Sequence, residues 1–224
     1  MKMNPEELGN YFEGDIMISN STTRNGDTKA KRWPGGIIPY TITGSYTKAE
    51  SNNIIGGINE INMKLKGCIR LVKRTNQINY INIKSENVGC RSPIGMQGTG
   101  EQEVNLHNGC AHTIGTPMHE ITHAMGFWHE QSRYDRDSYV KIKLENVEKG
   151  HEKNFEKARK GRLYAYGVPY DYGSVMHYSA YAFAKDKSKP TIVTTDKNAQ
   201  EQIGQRKGYS RSDIIKIKRM YGCK

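Results

Sequence analysis

The stretch His119-Glu120-Ile121-Thr122-His123-Ala124-Met125-Gly126-Phe127-Trp128-His129 decides how the rest of the chain is read. In a helix, residues four apart stand about one turn from each other, so His119 and His123 present their imidazoles on one face. Glu120 lies at the edge of that face. Two histidines and a glutamate so arranged read as two zinc ligands and a general base. Just upstream, Thr116 suits the helix cap and Pro117 its first turn. Gly126 permits the left-handed conformation that ends a helix and turns the chain, which brings His129 back towards the same metal. Three nitrogen ligands with one position open is the coordination of a catalytic zinc, whereas a structural zinc is closed by four protein ligands.

Working outward, 224 residues suffice for one sizeable domain, of one lobe or two, with a real core. No apolar run approaches a membrane span, and the opening Met-Lys-Met-Asn-Pro-Glu-Glu is polar, without an apolar signal stretch. The four cysteines, Cys68, Cys90, Cys110 and Cys223, contain no C-x-x-C pair. Their even number fits two disulfides in any of three connectivities, and with them an extracellular or secretory compartment. The formal net charge is +11, but the lysines and arginines are scattered and no nucleic-acid motif accompanies them. The charge therefore reads as solvated surface with some attraction for acidic polypeptides. Within residues 1–24, Lys2 and Arg24 stand against Glu6, Glu7, Glu13 and Asp15, a balance of −2 that leaves +13 on the remainder. An acidic leader on a basic body suggests a segment lying along a cleft of that body.

In chain order, Asn20-Ser21-Thr22 is a glycosylation triplet, and residues 25–35 have the composition of a linker. Ile37 to Ile42 reads as a strand with Pro39 at an edge. Thr47 with Glu50 forms a capping box for a helix running to Lys66, with Ile54, Ile58, Ile61 and Leu65 as its buried stripe. Its Gly56-Gly57 pair suggests close contact with a neighbouring strand. Cys68–Lys73 and Ile78–Lys84 read as strands, and Gly89 to Gly100 as a loop. Glu103 to His107 alternates like a half-buried edge strand, one able to pair with an extended peptide. Val140 to Leu144 reads as a short strand, Asn146 to Arg159 as a helix, and Tyr164 to Tyr181 as irregular. Ser210 or Ser212 caps a final helix through Ile214, Ile217, Met220 and Tyr221.

From His119 through Val140 the sequence closely resembles the extended signature of the astacin family of zinc metalloendopeptidases, in the metzincin clan. Ser174-Val175-Met176-His177-Tyr178 resembles that family's Met-turn. Arg32-Trp33-Pro34-Gly35-Gly36 resembles the opening of its mature domain, and Ile203-Gly204-Gln205-Arg206 and Met220-Tyr221-Gly222-Cys223 also fit. The resemblance implies an α+β, two-lobed metzincin fold. Its upper lobe, about residues 25–126, would carry a twisted five-stranded mixed sheet and two long helices. The lower lobe, about 127–224, would be mostly irregular and closed by a final helix. The pairing Cys68 with Cys223 and Cys90 with Cys110 is likewise implied only by the resemblance.

The same resemblance assigns roles. One zinc ion would be bound by His119, His123 and His129, with Glu120 as base. Tyr178 would be a further zinc ligand that swings away to donate to the oxyanion, and Met176 an apolar floor beneath the imidazoles. Phe12-Glu13-Gly14-Asp15 resembles the family's pro-segment motif, so residues 1–24 would be an inhibitory pro-segment with Asp15 on the metal, and residues 25–224 the catalytic domain. Cleavage by a trypsin-like protease between Arg24 and Asn25 would free a terminus that pairs with Glu130. In relatives that favour acidic residues after the cut, a basic side chain lies beneath the pocket. Its counterpart reads as Thr195, which argues against such a preference, while Lys197 nearby offers a substitute cation. The expectation is a secreted, monomeric endopeptidase acting on extended proteins or peptides, without nucleic-acid or membrane partners. The alternative is a catalytically silent polypeptide-binding protein of the same fold. The sequence stops one residue after Cys223, where many members of the family continue into further modules.

Overall fold

The structure is a computed structural model and describes residues 3–18, 30–107, 109–159 and 165–223. Arg24, Asn25 and the Asn20-Ser21-Thr22 triplet lie outside the described residues. In chain order the strands and helices are β1 (Ile16–Met17), β2 (Ile37–Ile42), α1 (Lys48–Lys64), β3 (Arg70–Lys73), β4 (Tyr80–Lys84), β5 (Cys90–Pro93), β6 (Glu101–Leu106), α2 (Gly115–Met125), β7 (Val140–Ile142), β8 (Ile192–Thr194) and α3 (Arg211–Tyr221).

The main sheet has the order β1-β5-β6-β4-β2-β3. Neighbours are parallel except β5, which runs antiparallel to β6. Five of these strands come from the body of the protein, and the leader adds the sixth. Two expectations change here. The glycine-rich stretch after Gly89 is not all loop, because Cys90–Pro93 forms β5. The Glu103–His107 run is not an edge, because β6 is hydrogen-bonded on both sides; the body's outer strand beside the zinc-motif helix is β5. Period-two alternation arises from one face being polar and does not report whether a strand has two neighbours.

Helix α1 starts where the Thr47 hydroxyl accepts from Glu50 N and the Glu50 carboxylate accepts from Thr47 N. Its isoleucines Ile54, Ile58 and Ile61 are buried in the upper core with Ile38, Ile81, Ile83 and Val104. A Cβ on Gly57 would lie 3.0 Å from the Ile114 carbonyl oxygen. The close neighbour is therefore the start of α2, and not a strand. Helix α2 begins one residue before Thr116, with Ile114 in the cap position and no side-chain cap. The Thr116 hydroxyl instead donates towards Glu6 of the leader, at 3.4 Å. Gly126, at φ 117°, ends α2 and donates its N–H back to the His123 carbonyl. Every residue of α2 is buried.

The lower lobe is built on the antiparallel pair β7–β8 and a second core around Phe155, Tyr178, Phe183 and Ile192. The segment 146–159 is not an α-helix. It holds only short 3-10 turns at Leu144–Asn146 and Glu152–Phe155. Gly150 at φ 98° breaks it, and only Val147, Asn154 and Phe155 face the core, too few for a helical stripe. Ser210 caps α3 with Asp213, and Gly222 ends it at φ 71°. Cys223 is bonded to Cys68, and Cys90 to Cys110. Among the described residues no helix is long and apolar enough to cross a membrane.

Candidate metal centre

Helix α2 and the turn after it bring His119, His123 and His129 to one point. The Nε2 of His119 lies 3.1 Å from that of His123 and 3.3 Å from that of His129. The other ring nitrogens face acceptors. The Nδ1 of His119 is 2.8 Å from the Val175 carbonyl oxygen, that of His123 is 2.7 Å from Phe127 O, and that of His129 is 2.7 Å from Glu13 Oε2. Each acceptor holds the ring proton on Nδ1, so three Nε2 lone pairs converge. Asp15 joins them, with Oδ2 at 3.0 Å from His119 and 3.4 Å from His129, and Oδ1 at 3.5 Å from His123. All four residues are buried.

Four electron-pair donors at such separations repel unless a cation sits among them. Ligands on one tetrahedral zinc, each about 2.0–2.1 Å from it, would lie about 3.3 Å apart. The residues present fit that group. Burial lowers the His129 pKa, but Asp15 and Glu13 outweigh it and bring it to about 9, while burial and Arg206 lower that of His119 to about 4.

Glu120 is fully buried, and neither carboxylate oxygen meets a donor among the described residues. Burial, Asp15 and Glu6 raise its pKa well above the ordinary carboxylate value, against the opposing charge of Arg206. The Tyr178 ring packs 4.7 Å from that of His129, and its hydroxyl donates to the Glu13 carbonyl at 2.6 Å. Met176 is buried in the turn below, where its carbonyl accepts from Glu130 N. Both Glu130 oxygens are taken, Oε1 by Arg133 Nη1 and Asp171 N at 3.0 Å each, and Oε2 by Lys216 Nζ at 2.6 Å.

The leader makes a second set of contacts that the sequence reading passed over. Glu6, buried, pairs with Arg206 Nε. Glu7 accepts from both the backbone N and the hydroxyl of Ser179. Arg206 also donates to the His177 carbonyl at 3.1 Å, while its Nη2 has no partner among the described residues. Thr195 is turned elsewhere, donating to Tyr139 O at 3.0 Å, and Lys197 is exposed. The cation that reaches this site is therefore Arg206. The available clue was charge: two acidic leader residues needed a basic partner, and Arg206 sat within a motif already marked by resemblance.

Residues 25–222 match the Astacin peptidase family. The chain belongs to the astacin family. It is 38% identical to zinc metalloproteinase nas-4 of Caenorhabditis elegans, over 96% of this chain and 70% of that protein. To the meprin A subunit beta of Homo sapiens it is 39% identical, over 97% of this chain. It spans only 30% of that relative's length. Among solved structures, high choriolytic enzyme 1, a hatching enzyme zinc-protease from Oryzias latipes, superposes with a TM-score of 0.77 at 38% identity. That match covers 93% of this chain and 99% of the other. This astacin is accordingly a zinc metalloendopeptidase of α+β fold, and one zinc ion is its cofactor.

Proposed function

We propose that this chain is the latent form of a secreted astacin endopeptidase, with residues 1–24 as its inhibitory pro-segment and 25–224 as its catalytic domain. One observation carries the reading. The Asp15 carboxylate lies within 3.0–3.5 Å of all three imidazole Nε2 atoms, filling the position that a catalytic site must keep open. His119, His123 and His129 would hold the zinc, and Asp15 would be its fourth ligand until the leader is removed. The two disulfides support an oxidising, extracellular compartment.

Zinc held there supplies a Lewis acid that brings a water's acidity towards neutrality and polarises the scissile carbonyl. Glu120 takes the proton of the attacking water and returns it to the leaving amide nitrogen. Tyr178 loses its acceptor, the Glu13 carbonyl, when the leader goes, and its hydroxyl then donates to the oxyanion. Removal of Glu6 uncovers Arg206, and a substrate carboxylate can replace the lost partner. This supports a preference for acidic residues near the cut, the opposite of what Thr195 suggested.

Cleavage between Arg24 and Asn25 is supported by reach. Ala30 packs beside Gly126, with its Cβ 3.0 Å from where a Cβ on Gly126 would stand. Five extended residues span about 17 Å, and Glu130 is four residues from Gly126. A new amino terminus at Glu130 would displace Lys216, which has Asp213 at 3.7 Å as a second partner. Active protein beginning at Trp33 would overturn this site. The reading as a whole is tested by assaying a denatured protein substrate before and after trypsin, with and without chelator. Activity should appear only after cleavage, vanish with chelator and return with zinc. Equal activity before cleavage would remove the latency, and none under any condition would remove the catalytic assignment.

A further inference from the structure

Arg91 lies on β5, the strand whose outer side the leader covers. The pairing is Ile16 with Ser92 and Met17 with Pro93, and Ser92 N donates to the Asp15 carbonyl at 2.9 Å. Arg91 therefore stands one residue from the point where the leader passes the metal centre. Its side chain is only 14% exposed and its head is fixed, with Nε donating to Glu103 at 2.7 Å and Nη2 to Glu86 at 3.4 Å. The remaining amine, Nη1, donates to the hydroxyl of Tyr11 in the leader, and the guanidinium carbon lies 5.0 Å from the centre of that ring.

Two features define what this position accepts. The guanidinium is already balanced by two carboxylates, so a third, from an acidic substrate residue, meets repulsion from Glu103 and Glu86. A donor aimed outward from a half-buried, immobilised head favours a neutral side chain with an acceptor oxygen at the end of a flat apolar body. Tyrosine has that shape, and Tyr11 shows the fit. Tyr11 reaches that Nη1 from the turn before β1, where Gly14 N donates to the Tyr11 carbonyl at 3.0 Å, and a peptide laid along β5 in the leader's absence would bring its own side chains past the same Nη1.

We propose that Arg91 forms a subsite of the active enzyme for a tyrosine side chain of the substrate, occupied by Tyr11 in the latent chain. This rests on the endopeptidase reading above and adds a substrate class to it. It is distinct from the acidic preference assigned to Arg206, since the two cations belong to different elements and hold different leader residues. Sites that hydrogen-bond a hydroxyl reject the analogue lacking it, because the donor is then left unpaired.

The test uses the cleaved, zinc-loaded enzyme and peptides carrying Tyr, Phe, O-methyltyrosine or Ala at each of three positions on either side of one scissile bond. At one position kcat/KM should favour Tyr over Phe about tenfold, the effect expected of one hydrogen bond to a charged group. In Arg91→Met the Tyr-to-Phe ratio at that position should fall to about one. The wild-type comparison stands alone if that variant does not fold. Equal use of Tyr and Phe at every position, or an unchanged ratio in Arg91→Met, overturns the subsite while leaving the peptidase intact. Failure to cut any of the peptides overturns both.

Discussion

Asp15 and His119 are 104 positions apart in the chain, and their side chains meet at 3.0 Å with no exposure to solvent. A single carboxylate thus reaches a centre assembled by a distant helix. In Asp15→Ala the Glu6 and Glu7 contacts still hold the leader, so the uncleaved protein should gain partial, chelator-sensitive activity. It should be above uncleaved wild type and below the cleaved enzyme. A fluorogenic peptide assay on uncleaved protein checks this, and an unchanged, silent Asp15→Ala would show that latency lies elsewhere.

Glu120 touches no donor among the described residues, so its loss should leave the metal centre assembled. Cleaved Glu120→Gln should lose at least about 10²–10⁴-fold in kcat/KM, the contribution of a positioned acid–base group. Metal analysis should still return one zinc per chain. Retained turnover would remove Glu120 from the role of base.

The Glu6–Arg206 pair makes a comparable claim about specificity. Cleaved Arg206→Met should lose its preference for acidic over neutral side chains near the cut by about 30-fold or more, the scale of a buried charge left without its partner. Paired peptides differing only as Asp and Asn measure it. Equal ratios in wild type and variant would return the acidic preference to an unassigned residue.

Lys216 and Glu130 form a buried ion pair at 2.6 Å. Breaking it by Lys216→Met leaves Glu130 Oε2 without its partner, with only Oε1 still held by Arg133 and Asp171 N, and should cost about 3–5 kcal/mol of stability in the latent protein. Chemical unfolding of Lys216→Met, Glu130→Gln and the double variant isolates the coupling. Additive effects would mean that the pair contributes nothing of its own.

On the sheet, hydrogen bonds from Tyr80, Lys84 and Asn82 hold Glu101 down to about 2, below its usual 4.5. A carboxylate with a lowered folded pKa stabilises the protein above its unfolded value and ceases to do so as pH falls through the folded one. Its contribution should be full above about pH 4.5 and gone near pH 2. Melting temperatures of wild type and Glu101→Gln should therefore differ at neutral pH and converge in acid. A gap independent of pH would refute the assignment.

The site was far more legible in the sequence than the lobe beneath it. His119, His123 and His129 obey local rules, since helical spacing and one left-handed glycine suffice to converge them. Capping boxes at Thr47 and Ser210 are local too. The identity of the outer strand was not legible, because whether β5 or β6 has a free side depends on which distant chain lies alongside. The segment 146–159 misled because its charge density resembles a solvated helix, while its turns are held by contacts such as Lys185 N to Asn146 O. Arg206 was hidden for the same reason. Its importance comes from Glu6, 200 residues away.

Pro93 closes the outermost strand of the body. While β1 is in place this matters little, but removal of the leader, as proposed, would make β5 a bare margin of the sheet, the kind of border along which proteins stack into aggregates. Proline offers no N–H there and so caps the run of available donors after Ser92. A form freed of the leader would offer a short length of backbone to a guest polypeptide, yet too little for a second copy of itself to zip onto.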